Sequence, residues 1–291
     1  MSIRLHEDAA LFREAVNFTA ARTQFAARLI EKDYFCTVLL EHIAAATDTG
    51  LIFKGGTCLA KVHVGFYRLS EDLDFTIPMP LDSSRGGRSR RAAPLKELVG
   101  QGTKQIAGLR IETALAGSQA SKQYGAALAY ASLLSGEVES IKFEVSLREP
   151  LLTPAMAGEA RTLLLDPVSG STAAPIVPLP CLSRDEALAE KMRAALSRRD
   201  VAIRDFYDID HAIQQRSLDV MDATFIGLVQ AKLAIPDNGP VDVSPARLAA
   251  LRTQLETQLR PVLLARDFSD FTLERAFSAV HGVAKAISQA G

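Results

Sequence analysis

The chain has 291 residues, 48% of them hydrophobic and 23% charged, with a formal net charge of −1. That length and apolar share suffice for a large core in one big domain or two modest ones, and the near-neutral balance excludes a protein whose whole surface attracts phosphate. No apolar run approaches the roughly 18 to 20 residues of a membrane span, and the opening MSIRLHEDAALFREA lacks the basic-then-apolar order of a secretory signal, so the expected compartment is the cytoplasm.

In chain order, the first 47 residues contain no glycine or proline and place Leu11, Ala15 and Phe18, then Phe35, Val38 and Leu39, at helical spacing, which predicts two amphipathic helices. From residue 51 the pattern changes to a strand, LIF, a helix from about Cys58 to Phe66, and a second strand, LDFTI, closed by Pro78 and Pro80. An arginine-rich segment, RGGRSRRAAPLK (Arg85 to Lys96), leads into a helix near 93–105. Strand-like alternation then returns in LRIETAL, YGAALAYASLL and ESIKFEVSL, the last two joined as a hairpin across SGEV. From Ser183 onward the chain reads as helix. SRDEALAEKMRAALSR opens with a Ser cap, carries Glu186 in the position of a capping box and lines up Leu188, Met192 and Leu196. Further helices are expected at about 202–215, 222–233, 244–265 and 270–289. The predicted organisation is a sheet-containing domain with its N-terminal helices over 1–182 and a helical domain over 183–291.

Three cysteines, Cys36, Cys58 and Cys181, are widely spaced without a CxxC, which argues against a disulfide framework and against a thiolate zinc site; they read as buried reduced thiols. His6, His42, His63, His211 and His281 are scattered, form no metal-spaced cluster and read as structural or surface residues.

The chemistry concentrates between residues 51 and 147. On a strand, LDFTI sends Leu73, Phe75 and Ile77 to one face and Asp72, Asp74 and Thr76 to the other. Residues two apart on a strand are about 6.6 to 6.8 Å apart, and paired catalytic magnesium ions about 3.5 to 4 Å, so two such carboxylates can converge on one ion or bridge a pair. SIKFEVSL repeats the alternation and offers Glu144 as a third carboxylate. Oxygen donors without a sulfur or imidazole pattern point to Mg²⁺ or Mn²⁺. Upstream, KGGT joins a strand to a helix start, so Gly55, Gly56 and Thr57 form a candidate phosphate cradle that is neither a P-loop nor a dinucleotide fingerprint. The spacing from Gly55 to Asp72 allows one helix that returns to a neighbouring strand. A phosphate cradle beside a metal-binding pair describes nucleoside triphosphate chemistry at the α-phosphate.

Four segments, IEKDYF, FKGGTCLAKVHVGFYRLSEDLDF, IKFEVS and EALAEKMRAALSRRDVAIRDFYDID, together resemble the AbiEii/MenT nucleotidyltransferase-like toxins, the toxin half of AbiE-type toxin–antitoxin systems, themselves similar to the polymerase-β-like superfamily. The resemblance spans about residues 30–215. It implies an α+β fold: a polymerase-β-like nucleotidyltransferase core, a mixed sheet with flanking helices, plus a C-terminal helical bundle. It also implies transfer of a nucleotide from an NTP with release of pyrophosphate, an acceptor like the tRNA 3′ end, growth inhibition, and a cognate AbiEi-type antitoxin. Carried over by position, nucleotide binding falls on Gly55, Gly56 and Thr57, and metal binding on Asp72 and Asp74 with Glu144 as third acid. The later motif falls on Lys191 and Asp208. A helix lysine suits a triphosphate, and Asp205 and Asp208, at i and i+3, could orient Lys191 or a ribose hydroxyl. Arg68 and Ser70 stand ready to touch phosphate or to serve as a cap or on the surface. Cys58 occupies a position where the family more often has Ser.

The segments Arg85–Arg91 and Arg193–Arg204 are the expected RNA surface. Two other functions fit the sequence: transfer to a protein or small-molecule hydroxyl, and a non-enzymatic binding module with a degenerate core. The intact acids speak against the second, since clustered unpaired carboxylates gain nothing without a cation.

Overall fold

The breaker-free N-terminus folds as α1 (Ala9–Thr23) and α2 (Ala27–Ala45). Asp8 caps α1 by accepting from the backbone N–H of Ala10 and Leu11, and Gln24 closes it at φ 67°. The computed structural model describes residues 3–46, 49–215 and 217–290, so Met1, Ser2 and Thr47 of the predicted helical stretch lie outside the described residues. The chain divides into two compact units, Met1–Leu182 and Ser183–Gly291. Contrary to expectation, α2 is not amphipathic: Leu29 through Leu40 are all buried, Glu31, Lys32 and Asp33 included. Its charges are inside because each is paired, as described below.

The first unit carries a seven-stranded sheet in the order β3-β4-β5-β2-β1-β7-β6. Its strands are β1 (Ile52–Lys54), β2 (Leu73–Thr76), β3 (Leu109–Ser118), β4 (Gln123–Ala131), β5 (Val138–Ser146), β6 (Met156–Ala160) and β7 (Val177–Cys181). β2 pairs in parallel with β5, and β1 in parallel with β7, while the other neighbours are antiparallel, so the sheet is mixed. The register is fixed by an aromatic row on the core face. Phe53, Phe75 and Phe143 lie on three adjacent strands, with ring centroids 5.3 Å apart for the first pair and 5.5 Å for the second. A one-residue slip would turn all three to the other face.

Between β1 and β2 lies α3 (Gly55–Cys58), which runs on as a π-helix over Leu59–Val64 and ends at Gly65, φ 84°. The helix therefore starts at the glycine pair and not at Cys58. After β2, α4 (Arg85–Gln105) begins eight residues before the expected start, because Ser84 accepts from the Gly87 N–H and caps a first turn whose two glycines disguise it as loop. β6 and β7 lie outside the strands that the sequence pattern predicts. β7 reads VPLPC, and although Val177, Leu179 and Cys181 are buried and the prolines exposed, Pro178 and Pro180 cannot donate to a ladder and so mask a strand.

The second unit is helical: α5 (Arg184–Ser197), α6 (Ile203–Gln214), α7 (Ala223–Leu233), α8 (Pro245–Arg252), α9 (Ala265–Asp270) and α10 (Leu273–Ala290). Ser183 caps α5 through the Glu186 N–H. At the other end of α5, the buried Arg247 guanidinium donates to the carbonyls of Ala194, Ala195 and Arg198, satisfying acceptors that the helix terminus leaves open. Lys232 is buried between Glu186 and Glu190 at 2.7 and 3.1 Å. The single helix expected over 244–265 is broken: after Arg252 the chain passes through a π-turn at Leu255–Leu259 and a 3-10 turn at Arg260–Val262, where Pro261 removes a donor. No helix among the described residues is long and apolar enough to cross a membrane.

Candidate active site

The aromatic row dictates the acidic one. With Leu73 and Phe75 buried, the intervening residue of β2 must face the other way, and parallel pairing sets Asp74 directly opposite Glu144, with Lys54 opposite Asp74 on the β1 side. Glu144 is exposed and Asp74 half-buried. An all-oxygen donor set on an accessible sheet face suits a hard cation such as Mg²⁺ or Mn²⁺.

Asp72 departs from the expected strand geometry. β2 begins at Leu73, so Asp72 precedes the ladder, and its main chain is held by Thr57, whose hydroxyl donates to the Asp72 carbonyl. Thr76 is not on the carboxylate face in effect: it is buried, and its hydroxyl donates to the Ser146 carbonyl at 3.1 Å. Among the described residues, the oxygens of Asp72, Asp74 and Glu144 are not gathered into a triple within 4.8 Å, whereas another set of three potential ligands is.

The glycine pair is shaped around these residues. Gly55 has φ +78°, and a Cβ built there would lie 2.3 Å from Asp74 Oδ2. A Cβ at Gly56 would lie 2.3 Å from Arg68 Nη2 and 3.2 Å from Ser70 Oγ. The absence of side chains thus lets the backbone at the start of α3 sit between Asp74 on one side and Arg68 and Ser70 on the other, with Thr57 bonded to Asp72. Arg68 is 2% exposed, which removes the surface role considered for it. Gly55→Ala is expected to lose at least about tenfold in transfer rate, since the methyl must displace Asp74, and to lose about 1–2 kcal/mol of stability from the left-handed backbone; initial rates and a urea melt measure the two.

Three consecutive charges of α2 are buried, the first reaching the β4–β5 turn and the next two supporting this loop, although none of them stands out singly in the sequence. Glu31 accepts from the Ser132 hydroxyl at 2.6 Å and the Leu133 N–H at 2.7 Å, and burial pushes its carboxyl up from the usual range. Lys32 bonds Glu71, the residue before Asp72, at 2.8 Å. Asp33 pairs with Lys61 from the π-turn at 2.5 Å, both side chains all but fully buried. Three charges in succession inside an apolar helix were the available signal, because buried charge occurs when paired.

In the helical unit, Lys191 Nζ lies 2.7 Å from Asp205 Oδ1 and 3.0 Å from Asp208 Oδ2, all three half-buried or buried. Lys191 is therefore held between two carboxylates rather than projecting as a loose cation. Of the arginines, Arg85, Arg90, Arg91, Arg198 and Arg199 are exposed. Arg88 is buried, bonded to the carbonyls of Ser83 and Ala120, and leaves the expected RNA surface because it closes the start of α4.

The cysteines are buried thiols outside any disulfide, as expected. The separation of cysteines from histidines does not survive folding: Cys58, His63 and Cys181 come together, because β7 runs beside β1 and the π-turn carries His63 back over it.

The model of the AbiEii family, described as nucleotidyl transferase AbiEii toxin of a type IV toxin–antitoxin system, matches residues 38–280. Among solved structures the chain is similar to MenT4, a nucleotidyltransferase toxin from Mycobacterium tuberculosis H37Rv, with 21% identity, a TM-score of 0.58 and coverage of 95% of this chain and 98% of that one. It is also similar to JHP933 from Helicobacter pylori, with 14% identity, a TM-score of 0.52 and coverage of 91% and 94%. At these identities the structures speak to the fold, which is the nucleotidyltransferase fold expected from the sequence. No curated protein matches in sequence.

Proposed function

We propose a specific reaction for this chain, which belongs to the AbiEii family of nucleotidyltransferase toxins of type IV toxin–antitoxin systems: transfer of a nucleotide from an NTP to an RNA acceptor, the tRNA 3′ end, with release of pyrophosphate and arrest of translation in the cytoplasm. The observation that carries the reading is the Asp74–Glu144 pair, opposite in register, with Asp74 packed against the Gly55 backbone.

Asp72, Asp74 and Glu144 are the residues that would hold Mg²⁺ or Mn²⁺, which when bound acidifies a hydroxyl and neutralises charge on the leaving pyrophosphate. Gly55, Gly56 and Thr57 offer backbone N–H groups to the triphosphate at a helix start. Arg68, seated against Gly56, puts a fixed positive charge behind that cradle, with Ser70 beside it. The acceptor oxygen forms a bond to the α-phosphorus while the bond to the bridging oxygen of pyrophosphate breaks, and the hydroxyl proton passes to solvent. Lys191 and Asp208 take the nucleotide-handling roles that the family resemblance implies. Family membership implies an antitoxin, and we assign an AbiEi-type partner.

The test is to incubate the protein with Mg²⁺, total bacterial tRNA and each labelled NTP in turn. Label on tRNA with one or two of the NTPs is expected. Label on a protein band or small molecule would replace the acceptor, and no NTP turnover would overturn the reading in favour of a binding module. For the RNA surface, reversing the exposed Arg85 and Arg90 to Glu should weaken tRNA binding without changing NTP affinity. The slope of log affinity against log salt should fall by about one for each phosphate no longer neutralised; an unchanged slope would remove this segment from the interface.

A further inference from the structure

Cys58 ends α3, His63 sits in the π-turn that follows it, and Cys181 ends β7. One ligand atom from each lies within 4.8 Å of the other two, and no second group of this kind exists among the described residues. Both thiols are fully buried and His63 is half-buried. We propose that Cys58, His63 and Cys181 form a binding site for a borderline-soft divalent cation, Zn²⁺, which ties the helix carrying the glycine pair to β7.

Four observations converge on it. The ligand set is two sulfurs and an imidazole, the donors that select zinc over the hard cations suited to the carboxylate face. Ligand atoms around a tetrahedral Zn²⁺ stand about 3.5 to 3.8 Å apart, given bonds of about 2.3 Å to sulfur and 2.0 to 2.1 Å to nitrogen, so the three residues need contract by only about an ångström. His63 Nε2 bonds the Leu182 carbonyl at 3.0 Å. A carbonyl only accepts, so Nε2 carries the proton and the lone pair is left on Nδ1, the outer-shell arrangement that fixes a ligating imidazole in one tautomer. Finally, the sulfur packs directly against Gly158 on the neighbouring β6, where a Cβ would lie 2.6 Å from Cys181 Sγ, so the place it takes beside Cys58 and His63 is one that only a glycine there admits. Cys36, alone in α2, is pushed up to about 12 by burial and serves as the inert comparison.

The site has a structural purpose that the sheet itself leaves open. β1 and β7 share a single registered pair, Phe53 opposite Cys181, and β7 has prolines at two of its five positions. A cation bridging Cys181 to Cys58 and His63 fastens that weak seam next to Gly55–Thr57. Binding would release the thiol protons to solvent, and a water would complete the fourth position.

The experiment loads the reduced full-length protein with Co²⁺ and Zn²⁺. A thiolate-to-cobalt charge-transfer band with tetrahedral ligand-field bands is expected at one ion per chain, together with a higher melting temperature in Zn²⁺ that a chelator reverses. Cys181→Ser and His63→Gln should each weaken binding by at least about tenfold and remove that melting shift, while Cys36→Ser keeps both. Circular dichroism confirms that each variant folds. Absence of the band in the reduced native protein, an equal loss in Cys36→Ser, or a Cys58–Cys181 disulfide as the resting state in freshly purified protein would each overturn the proposal. The metal content and melting readouts hold whether or not the nucleotide reaction is found.

Discussion

Asp74→Asn is expected to abolish nucleotide transfer, by at least about a thousandfold or about 4 kcal/mol of barrier, while leaving the melting temperature close to unchanged. The substitution keeps the shape of the side chain that Gly55 accommodates and removes only its charge. Asp74 stands directly opposite Glu144 across a parallel strand pair, and like charges so placed cost a few tenths to about 1 kcal/mol. Neutralising Asp74 relieves that repulsion and gives up the attraction to Lys54, opposite it on β1, so the two changes offset in the fold while the proposed cation ligand is lost. That separation of activity from stability distinguishes a functional carboxylate from a structural one. A structural Asp74 would lose stability on conversion to Asn, and activity would fall only in proportion. The measurement pairs initial rates of NTP-dependent tRNA labelling with a thermal melt, and full activity in the variant would remove Asp74 from the site.

The legible part of this architecture followed from local periodicity. Leu73 and Phe75, and Ile141, Phe143 and Val145, alternate cleanly, and their burial set Asp74 and Glu144 on the opposite face. Ser183 and the spacing behind it announced α5 for the same reason, since cap and stripe lie within one helix. The features that escaped depend on partners far along the chain or on residues with an opposite local meaning. Pro178 and Pro180 signal a break, yet as exposed residues of β7 they coexist with a strand. Without β7, nothing in the spacing of Cys181 brings it to Cys58 and His63. Arg88 looks like one more basic surface residue, but the chain at Ala120 folds over its guanidinium. Periodicity alone places Asp72 on a strand, whereas Thr57, fifteen residues earlier, determines where it sits.

The same dependence on distant partners makes the pair of Asp33 and Lys61 the most consequential for stability. Lys61 Nζ reaches the Asp33 carboxylate, the Asp33 carbonyl at 3.0 Å, the Thr37 hydroxyl at 2.8 Å and the Arg161 carbonyl at 3.2 Å. The second Asp33 oxygen accepts from the Thr162 hydroxyl at 3.1 Å and the Leu163 N–H at 2.9 Å. One buried ion pair thus joins α2, the π-turn after α3 and the segment following β6. Lys61→Met leaves an uncompensated buried carboxylate and is expected to cost about 3–5 kcal/mol. Asp33→Leu strands the ammonium and removes the acceptor for Thr162 and Leu163, with a loss of the same size. The double variant should be markedly more stable than the sum of the two losses, since neither charge then remains alone. The chain has no tryptophan, so urea unfolding is followed by far-UV circular dichroism, with a lower midpoint at unchanged slope as the expected form. Single variants that lose less than about 1 kcal/mol, or losses that simply add, would mean that the pair does not anchor the loop. Neither side chain belongs to the acidic row, so well below its transition the double variant should still label tRNA, which places the role of this pair in holding the glycine loop rather than in the transfer itself.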